Sequence, residues 1–186
     1  MTPDRKIVAY HEAGHAVMAA LSPYHVPGVT ELRTEHRSYG TSNGHSSYRT
    51  DPTIQRSDVW DWRIAAAGGA AEKLLTPKAD VFGFGEGWLS PTAGRLDLVM
   101  CGIELFNDDD PEVTWKREQR ALVGVCRVVR DHADAVRKVA EILLENGRID
   151  GAEVQAIVGP PLSDEPKPKL TPVDHRQVAL FGGDSR

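Results

Sequence analysis

One short segment, His11-Glu12-Ala13-Gly14-His15, sets the strongest limits on the structure of this chain. Two histidines four positions apart lie on one face of an α-helix, so both imidazoles can reach one Zn2+ ion. A glutamate directly after the first histidine then lies beside the metal without binding it. From there Glu12 can take a proton from water and deliver it to a leaving amine. The segment therefore predicts a helix that carries a hydrolytic metal centre, with His11 and His15 as ligands.

A catalytic zinc site commonly has three protein ligands, so the chain must supply a third. A metzincin would have a glycine and a histidine three and six residues after His15, but the chain has Met18 and Leu21 there. Four acidic residues remain to be weighed: Glu31, Glu35, Glu72 and Asp97. The last two are the stronger candidates because they fall on predicted helices, whereas the first two fall in a predicted strand region. Spacing alone leaves Glu72 and Asp97 both open.

The first half of the chain is predicted to contain two helices around a strand region. The first helix covers residues 3–21, and Pro23 disfavours helical geometry in the residue before it. Residues 24–50 predict two short strands with turns at Pro27-Gly28 and at 42–44, where the sequence is Ser-Asn-Gly. Residues 54–76 predict the second helix. Its internal Gly68-Gly69 pair weakens helix propensity, which we expect to be offset by close packing against a neighbouring helix.

The second half is predicted to be helical as far as a proline-rich tail. After a glycine-rich loop at 77–89, helices are expected over three ranges: 91–106, 111–130 and 133–145. Asp150 with Glu153 resembles a capping box at the start of a last short helix. We therefore expect one mainly helical α+β domain over residues 1–158. Prolines punctuate the polar residues 159–186, which predicts a disordered tail.

Composition narrows the classes of function. The chain has 186 residues and a formal net charge of -5, without a basic run, so nucleic-acid binding is not expected. The most apolar stretch, 64–71, is too short to span a bilayer, and no targeting segment is visible, which predicts a cytoplasmic protein. Cys101 and Cys126 are expected to be reduced thiols. Three further histidines are expected to be exposed and unpaired rather than a second metal site: His25, His36 and His45.

Residues 8–16, VAYHEAGHA, resemble the zinc helix of the FtsH family, the membrane-bound ATP-dependent zinc proteases. Further stretches resemble segments of that family in the same order: 67–72 (AGGAAE), 92–98 (TAGRLDL), 140–145 (AEILLE) and 150–154 (DGAEV). The resemblance covers residues 4–158. It implies a zinc metallopeptidase domain, with a small β-sheet beside the HExxH helix and a C-terminal helical bundle. It also implies that Asp97 completes the zinc site and that Glu72 supports a ligand or braces the helix pair.

The chain departs from the family pattern in three places. No GxxxxGK[ST] segment occurs in the 186 residues, so we expect no ATP binding by this chain. In the third-ligand segment, Ala93-Gly94 reverses the family order and Leu96 replaces a polar residue. The glycine-rich loop at 78–88 is longer than in the family and is either a loop exposed to solvent or a mobile lid beside the cleft. An extended substrate is expected along a sheet edge at 28–33 or 38–42.

Together these features predict an ATP-independent zinc metalloendopeptidase that hydrolyses peptides or unfolded protein segments. Its expected partners are the substrate and either further copies of this chain or a separate unfoldase. Two alternatives stay open. The chain could be a catalytically weak binding module, as the changes around Leu96 suggest. It could also be a proteolytic subunit that depends on a separate ATPase and docks through the apolar residues 178–181.

Overall fold

A computed structural model describes seven stretches of the chain: residues 5–33, 35–37, 40–42, 44–50, 58–77, 97–98 and 110–163. They form a mainly helical chain with a small antiparallel sheet, which confirms the expected α+β composition. Three predicted features lie outside these stretches: the loop at 78–88, the tail beyond residue 163, and the helix at 91–106 apart from residues 97 and 98. Among the described residues, every helix is either too short or too polar to span a bilayer.

Helix α1 (Arg5–Leu21) is the centre of the fold. Almost all of its residues from Ala9 onward are buried, because α2, two later helices and the sheet cover it. It ends at Leu21, directly before Ser22 and Pro23, as the sequence predicts. The HExxH segment therefore belongs to a buried helix whose position is set by its neighbours.

Helix α2 (Asp58–Glu72) lies against α1 at very short range. A Cβ added to Gly14 would meet the carbonyl oxygen of Ala67 and would lie 2.7 Å from Cβ of Ala71. Small residues on both helices thus let the backbones of α1 and α2 approach each other. This confirms the close packing expected from the glycines of α2. This contact brings the middle of α2 up to the two histidines of α1.

The larger sheet has the strand order β4-β1-β5 and is antiparallel throughout. Strand β1 (His25–Glu31) runs through Pro27 and Gly28, so the turn predicted there is wrong. The register between β1 and β4 (His45–Thr50) instead shifts between Pro27 and Thr30, which marks a β-bulge. The proline and glycine thus lie within one continuous strand, which pairs with β4 and, at Thr30 and Glu31, with β5.

A second, two-stranded sheet joins β2 (Glu35–Arg37) to β3 (Gly40–Ser42). Its register pairs Arg37 with Gly40, so the connection of this hairpin falls at residues 38–39. The turn predicted at 42–44 includes Asn43, which lies outside the described residues. Those residues connect β3 to β4, and β4 pairs with β1.

Three helices and a short strand complete the described chain: α3 (Pro111–Asp131), α4 (Ala133–Asn146), β5 (Arg148–Ile149) and α5 (Gly151–Val158). Asp110 caps α3 by accepting a hydrogen bond from the Glu112 amide, and Gly147 ends α4 in the left-handed conformation. Asp150 precedes α5 without a side-chain capping bond, and its carboxylate accepts a hydrogen bond from Arg148. Helix α4 packs on α1, which carries both histidines, and helix α3 packs on α2. These two helices therefore flank the pair formed by α1 and α2.

Candidate metal centre

His11 and His15 lie on the same face of α1, and their Nε2 atoms are 3.0 Å apart. Only 8% of His11 is exposed to solvent. Helical geometry places residues four positions apart side by side, and burial by α2 restricts both rings. The helix thus aims two imidazole nitrogens at one small volume, as the motif predicts.

The other nitrogen of each ring has an acceptor on α2. The Nδ1 atom of His15 lies 2.7 Å from the Ile64 carbonyl oxygen, and Nδ1 of His11 lies 2.7 Å from Oε1 of Glu72. A carbonyl oxygen only accepts, and so does an ionised carboxylate, so both Nδ1 atoms donate. In the neutral rings the lone pairs are then on Nε2, which faces the shared volume. This is the tautomer that binds a metal through Nε2.

Asp97 brings a carboxylate oxygen to the same volume. Its Oδ2 atom lies 2.8 Å from Nε2 of His11 and 3.5 Å from Nε2 of His15. With both histidines neutral, this buried oxygen has no hydrogen-bond donor. Three lone pairs can converge in this way only if a cation, either a proton or a metal ion, lies among them.

The two Nε2 atoms and the Asp97 carboxylate oxygen are placed to bind one divalent metal ion. They lie within 4.8 Å of one another, and no other such group of His, Cys, Asp or Glu occurs among the described residues. Ligands about 2.0–2.1 Å from a tetrahedral Zn2+ are about 3.3 Å apart, which is close to the three distances observed. Of the two acidic residues that spacing leaves open, Asp97 joins the cluster. Glu72 instead bonds to the opposite nitrogen of His11.

In the metal-free cluster, protons take the place of the cation. Burial lowers the pKa of His11, but hydrogen bonds to the Asp97 and Glu72 carboxylates outweigh it and raise this pKa to about 10. The pKa of His15 is also raised, since Asp97 again outweighs burial. Burial raises the pKa of Asp97, yet the two imidazoles hold it well below its ordinary range. Metal binding must therefore displace protons from the histidines.

Glu12 lies beside the cluster and is 8% exposed. Burial raises the pKa of its carboxyl group, and the neighbouring histidines oppose that shift only in part. The backbone of Gly44, directly before β4, lies against this side chain, since a Cβ added there would be 2.5 Å from Oε1. A carboxyl group with a raised pKa is suited to gain and then release a proton.

Gly68 lies directly against the Nε2 atoms of His11 and His15. A Cβ at this position would lie 2.5 Å from Nε2 of His15 and 2.7 Å from Nε2 of His11. The sequence predicts Gly68 as a helix-packing residue, but its contact with the ligand atoms was missed. The Ile64 carbonyl and Gly44 were also missed, because neither a backbone acceptor nor a glycine before a strand carries a local signal.

Other acidic and histidine candidates lie elsewhere. Glu31 forms an ion pair with Arg33 at 2.8 Å, and Glu35 belongs to β2 with a side chain outside the described part. His25 was expected to be exposed and unpaired, which is wrong. It is buried, with Nδ1 2.7 Å from the hydroxyl of Ser22 and Nε2 3.1 Å from Oδ1 of Asp61. Only 1% of Ser22 is exposed, so this buried network joins the residue after α1 to β1 and α2.

No family model matches the chain. Among curated proteins, it is 32% identical over 85% of its length to "ATP-dependent zinc metalloprotease FtsH 2" of Sphaerobacter thermophilus. It is 26% identical over 98% of its length to "ATP-dependent zinc metalloprotease FtsH 3" of Symbiobacterium thermophilum. It is also 26% identical over 83% of its length to "ATP-dependent zinc metalloprotease FTSH 8, chloroplastic" of Arabidopsis thaliana. The chain spans only 27–33% of the length of these three relatives.

Proposed function

We propose that this chain, which is homologous over most of its length to one part of the FtsH zinc metalloproteases, is a zinc-dependent endopeptidase. The observation that carries the proposal is the convergence of two histidine Nε2 atoms and one carboxylate oxygen, with both Nδ1 atoms committed as donors. His11, His15 and Asp97 are the proposed zinc ligands. Glu72 and the Ile64 carbonyl orient the two rings.

Bound zinc would act as a Lewis acid on the scissile carbonyl and make water a stronger acid. The proton transfers are carried out by a side chain of the protein. Glu12 accepts a proton from the attacking water and then donates it to the leaving amine nitrogen. Its raised pKa favours the first of these transfers, because burial makes the carboxylate a stronger base. Gly44 leaves the room that this carboxyl group needs.

Strand β4 is the proposed guide for an extended substrate. The stretch 28–33 was expected as one possible substrate-binding edge. It is not a free edge, because strand β1 pairs with β4 and, at Thr30 and Glu31, with β5. Within the described residues, β4 pairs on one side only, and it begins directly after Gly44. A peptide added along β4 would therefore pass Glu12. The backbone of the peptide would form hydrogen bonds with the unpaired backbone groups of β4.

Hydrolysis of unfolded casein, without ATP, tests the proposal. We expect wild-type protein to cleave casein, and Glu12→Gln to bind the same amount of zinc with activity lowered by at least about a hundredfold. Glu145→Gln is a matched control, because Glu145 is an exposed glutamate at the end of α4. Zinc bound by all three proteins without cleavage by any would contradict the proposal and leave a binding module.

ATP independence is the finer part of the proposal. It rests on the lack of a GxxxxGK[ST] segment in these 186 residues. The printed names of the relatives, which call them ATP-dependent, favour a second candidate, a subunit that works with a separate ATPase. Cleavage of casein but of no folded protein would fit either reading. Recovery of folded-protein cleavage when an unfoldase and ATP are supplied would select the second. A cytoplasmic location and assembly of several copies stay predictions.

A further inference from the structure

The side chains of β4 alternate between the two faces of the sheet. Ser46 faces the core, because its hydroxyl lies 3.1 Å from that of the fully buried Thr30. Gly44, two residues earlier, belongs to the same face and lies against Glu12. The odd-numbered residues of the strand therefore share the outer face of the sheet: His45, Ser47 and Arg49.

The register between β4 and β1 agrees with this division. Arg49 pairs with Val26, which is 52% exposed, whereas Tyr48 pairs with the buried Pro27. The extra residue of the bulge belongs to β1, because β1 takes three steps from Pro27 to its next partner while β4 takes two. The alternation of β4 is thus unbroken from its start to Arg49.

Arg49 is an exposed cation at the end of β4 that is farther from Glu12. Among the residues that the structure describes, no carboxylate pairs with it. At the near end of the same face the charge of Glu31 is compensated, since its carboxylate lies 2.8 Å from Arg33. The outer face of β4 therefore offers one uncompensated guanidinium, and it lies beside the free edge of the sheet.

A substrate bound along that edge becomes a further strand of the sheet. Directly opposed residues of neighbouring strands point to the same face, with their Cβ atoms about 4.5–5.5 Å apart. The substrate residue opposite Gly44 thus points toward Glu12, and the residue opposite Arg49 points outward beside the guanidinium. Arg49 follows Gly44 by five residues, which cover about 17 Å of strand.

We propose that Arg49 is a specificity-determining residue that selects an Asp or Glu of the substrate. The selected residue lies about five positions from the substrate residue nearest Glu12. A carboxylate there forms a charge-assisted hydrogen bond with the guanidinium, whereas a Lys is repelled. The two neighbours of the selected residue point to the opposite face and cannot replace it. The inference rests on the proposed endopeptidase function and adds a substrate preference to it.

A positional scan of one peptide tests this role. A bond that the protein cleaves in casein is first mapped by mass spectrometry and placed in a quenched fluorescent peptide. Each position from three to seven residues on either side of the bond then carries Asp, Asn or Lys in turn. For wild-type protein we expect Asp to lower KM about two- to fivefold relative to Asn, about five residues away on one side only. The two adjacent positions should show no such effect.

Two substitutions assign the effect to Arg49. In Arg49→Gln the preference for Asp should disappear, and in Arg49→Glu it should reverse in favour of Lys. Because the side chain is exposed, both variants should keep the far-ultraviolet circular dichroism of the wild type. Arg127→Gln, which changes an exposed arginine of α3, is the matched control and should keep the preference.

The result that would overturn this role is an equal KM for Asp, Asn and Lys at every position of a peptide that is cleaved. Arg49 would then only protect the edge strand from pairing with other chains, and the endopeptidase function would stand. A preference for Asp that Arg49→Gln retains would overturn the role as well. Failure to cleave any peptide would instead contradict the proposed function, and this inference with it.

Discussion

At the scale of single residues, Gly68 has the sharpest expected effect. A methyl group there would overlap Nε2 of both histidines, so Gly68→Ala should move the rings out of the ligand position. We expect zinc affinity to fall by at least about a hundredfold while the far-ultraviolet circular dichroism keeps its helical form. Gly124→Ala is the matched control. Nothing lies within 4 Å of that position, so it should keep zinc and gain about 0.5–1 kcal/mol in the free energy of unfolding.

Substitutions of Glu72 distinguish the two roles that the sequence leaves open for it, zinc ligand or support for a ligand. As the acceptor for Nδ1 of His11, it should tolerate Glu72→Gln, whose amide oxygen can still accept, better than Glu72→Ala. We expect about a tenfold loss of zinc affinity for Glu72→Gln and a larger loss for Glu72→Ala, measured by competition with a chelator. Asp97→Ala should cost more than either. Equal losses for Glu72→Ala and Asp97→Ala would indicate that Glu72 is itself a ligand.

At the scale of elements, the contact between α1 and α2 determines both stability and the site. Gly14→Ala places a methyl group against the Ala67 carbonyl, so the helices must separate. We expect the free energy of unfolding to fall by about 1–3 kcal/mol in urea titrations. Zinc affinity should fall with it, because Ile64 and Glu72 on α2 orient the histidines of α1. A stable variant with unchanged affinity would contradict this coupling.

What the sequence predicts correctly are features with a local signal. The α1 helix follows from the spacing of its motif and from Pro23, and the ends of α3 and α4 follow from Asp110 and Gly147. The turn expected at Pro27-Gly28 fails because pairing with β4 and β5, which are distant in sequence, keeps β1 extended through a bulge. The expected exposure of His25 is wrong for the same reason, since its partner Asp61 lies on α2, which is distant in sequence.

The candidate site divides in the same way. His11, Glu12 and His15 follow from one short segment, and Asp97 follows only from the family resemblance. The Ile64 carbonyl, Gly44 and Gly68 depend on how α1, α2 and β4 meet, which no local pattern encodes.

At the scale of the whole molecule, pH should change the stability of the metal-free protein. The pKa of His11 is raised from 6.5 to about 10 by folding, so the folded state binds its proton more tightly. This contribution to stability is fully present below about pH 6.5 and is lost as the pH rises toward 10. We therefore expect the chelator-treated protein to lose stability over that range in urea titrations.

The zinc-bound protein should behave in the opposite way. Since zinc must displace protons from the histidines, its affinity should rise with pH over the same window. Added zinc should then raise the unfolding temperature more at pH 8 than at pH 6. An equal gain at both values would contradict the proton displacement that the cluster predicts.

The most direct test of the central claim is a titration of chelator-treated protein with zinc, with casein hydrolysis measured at each step without ATP. The account predicts that activity rises to a plateau at one zinc per chain. Glu12→Gln should bind one equivalent and stay inactive, and Asp97→Ala should bind weakly. Casein hydrolysis that persists without metal, or that Glu12→Gln retains in full, would contradict the account.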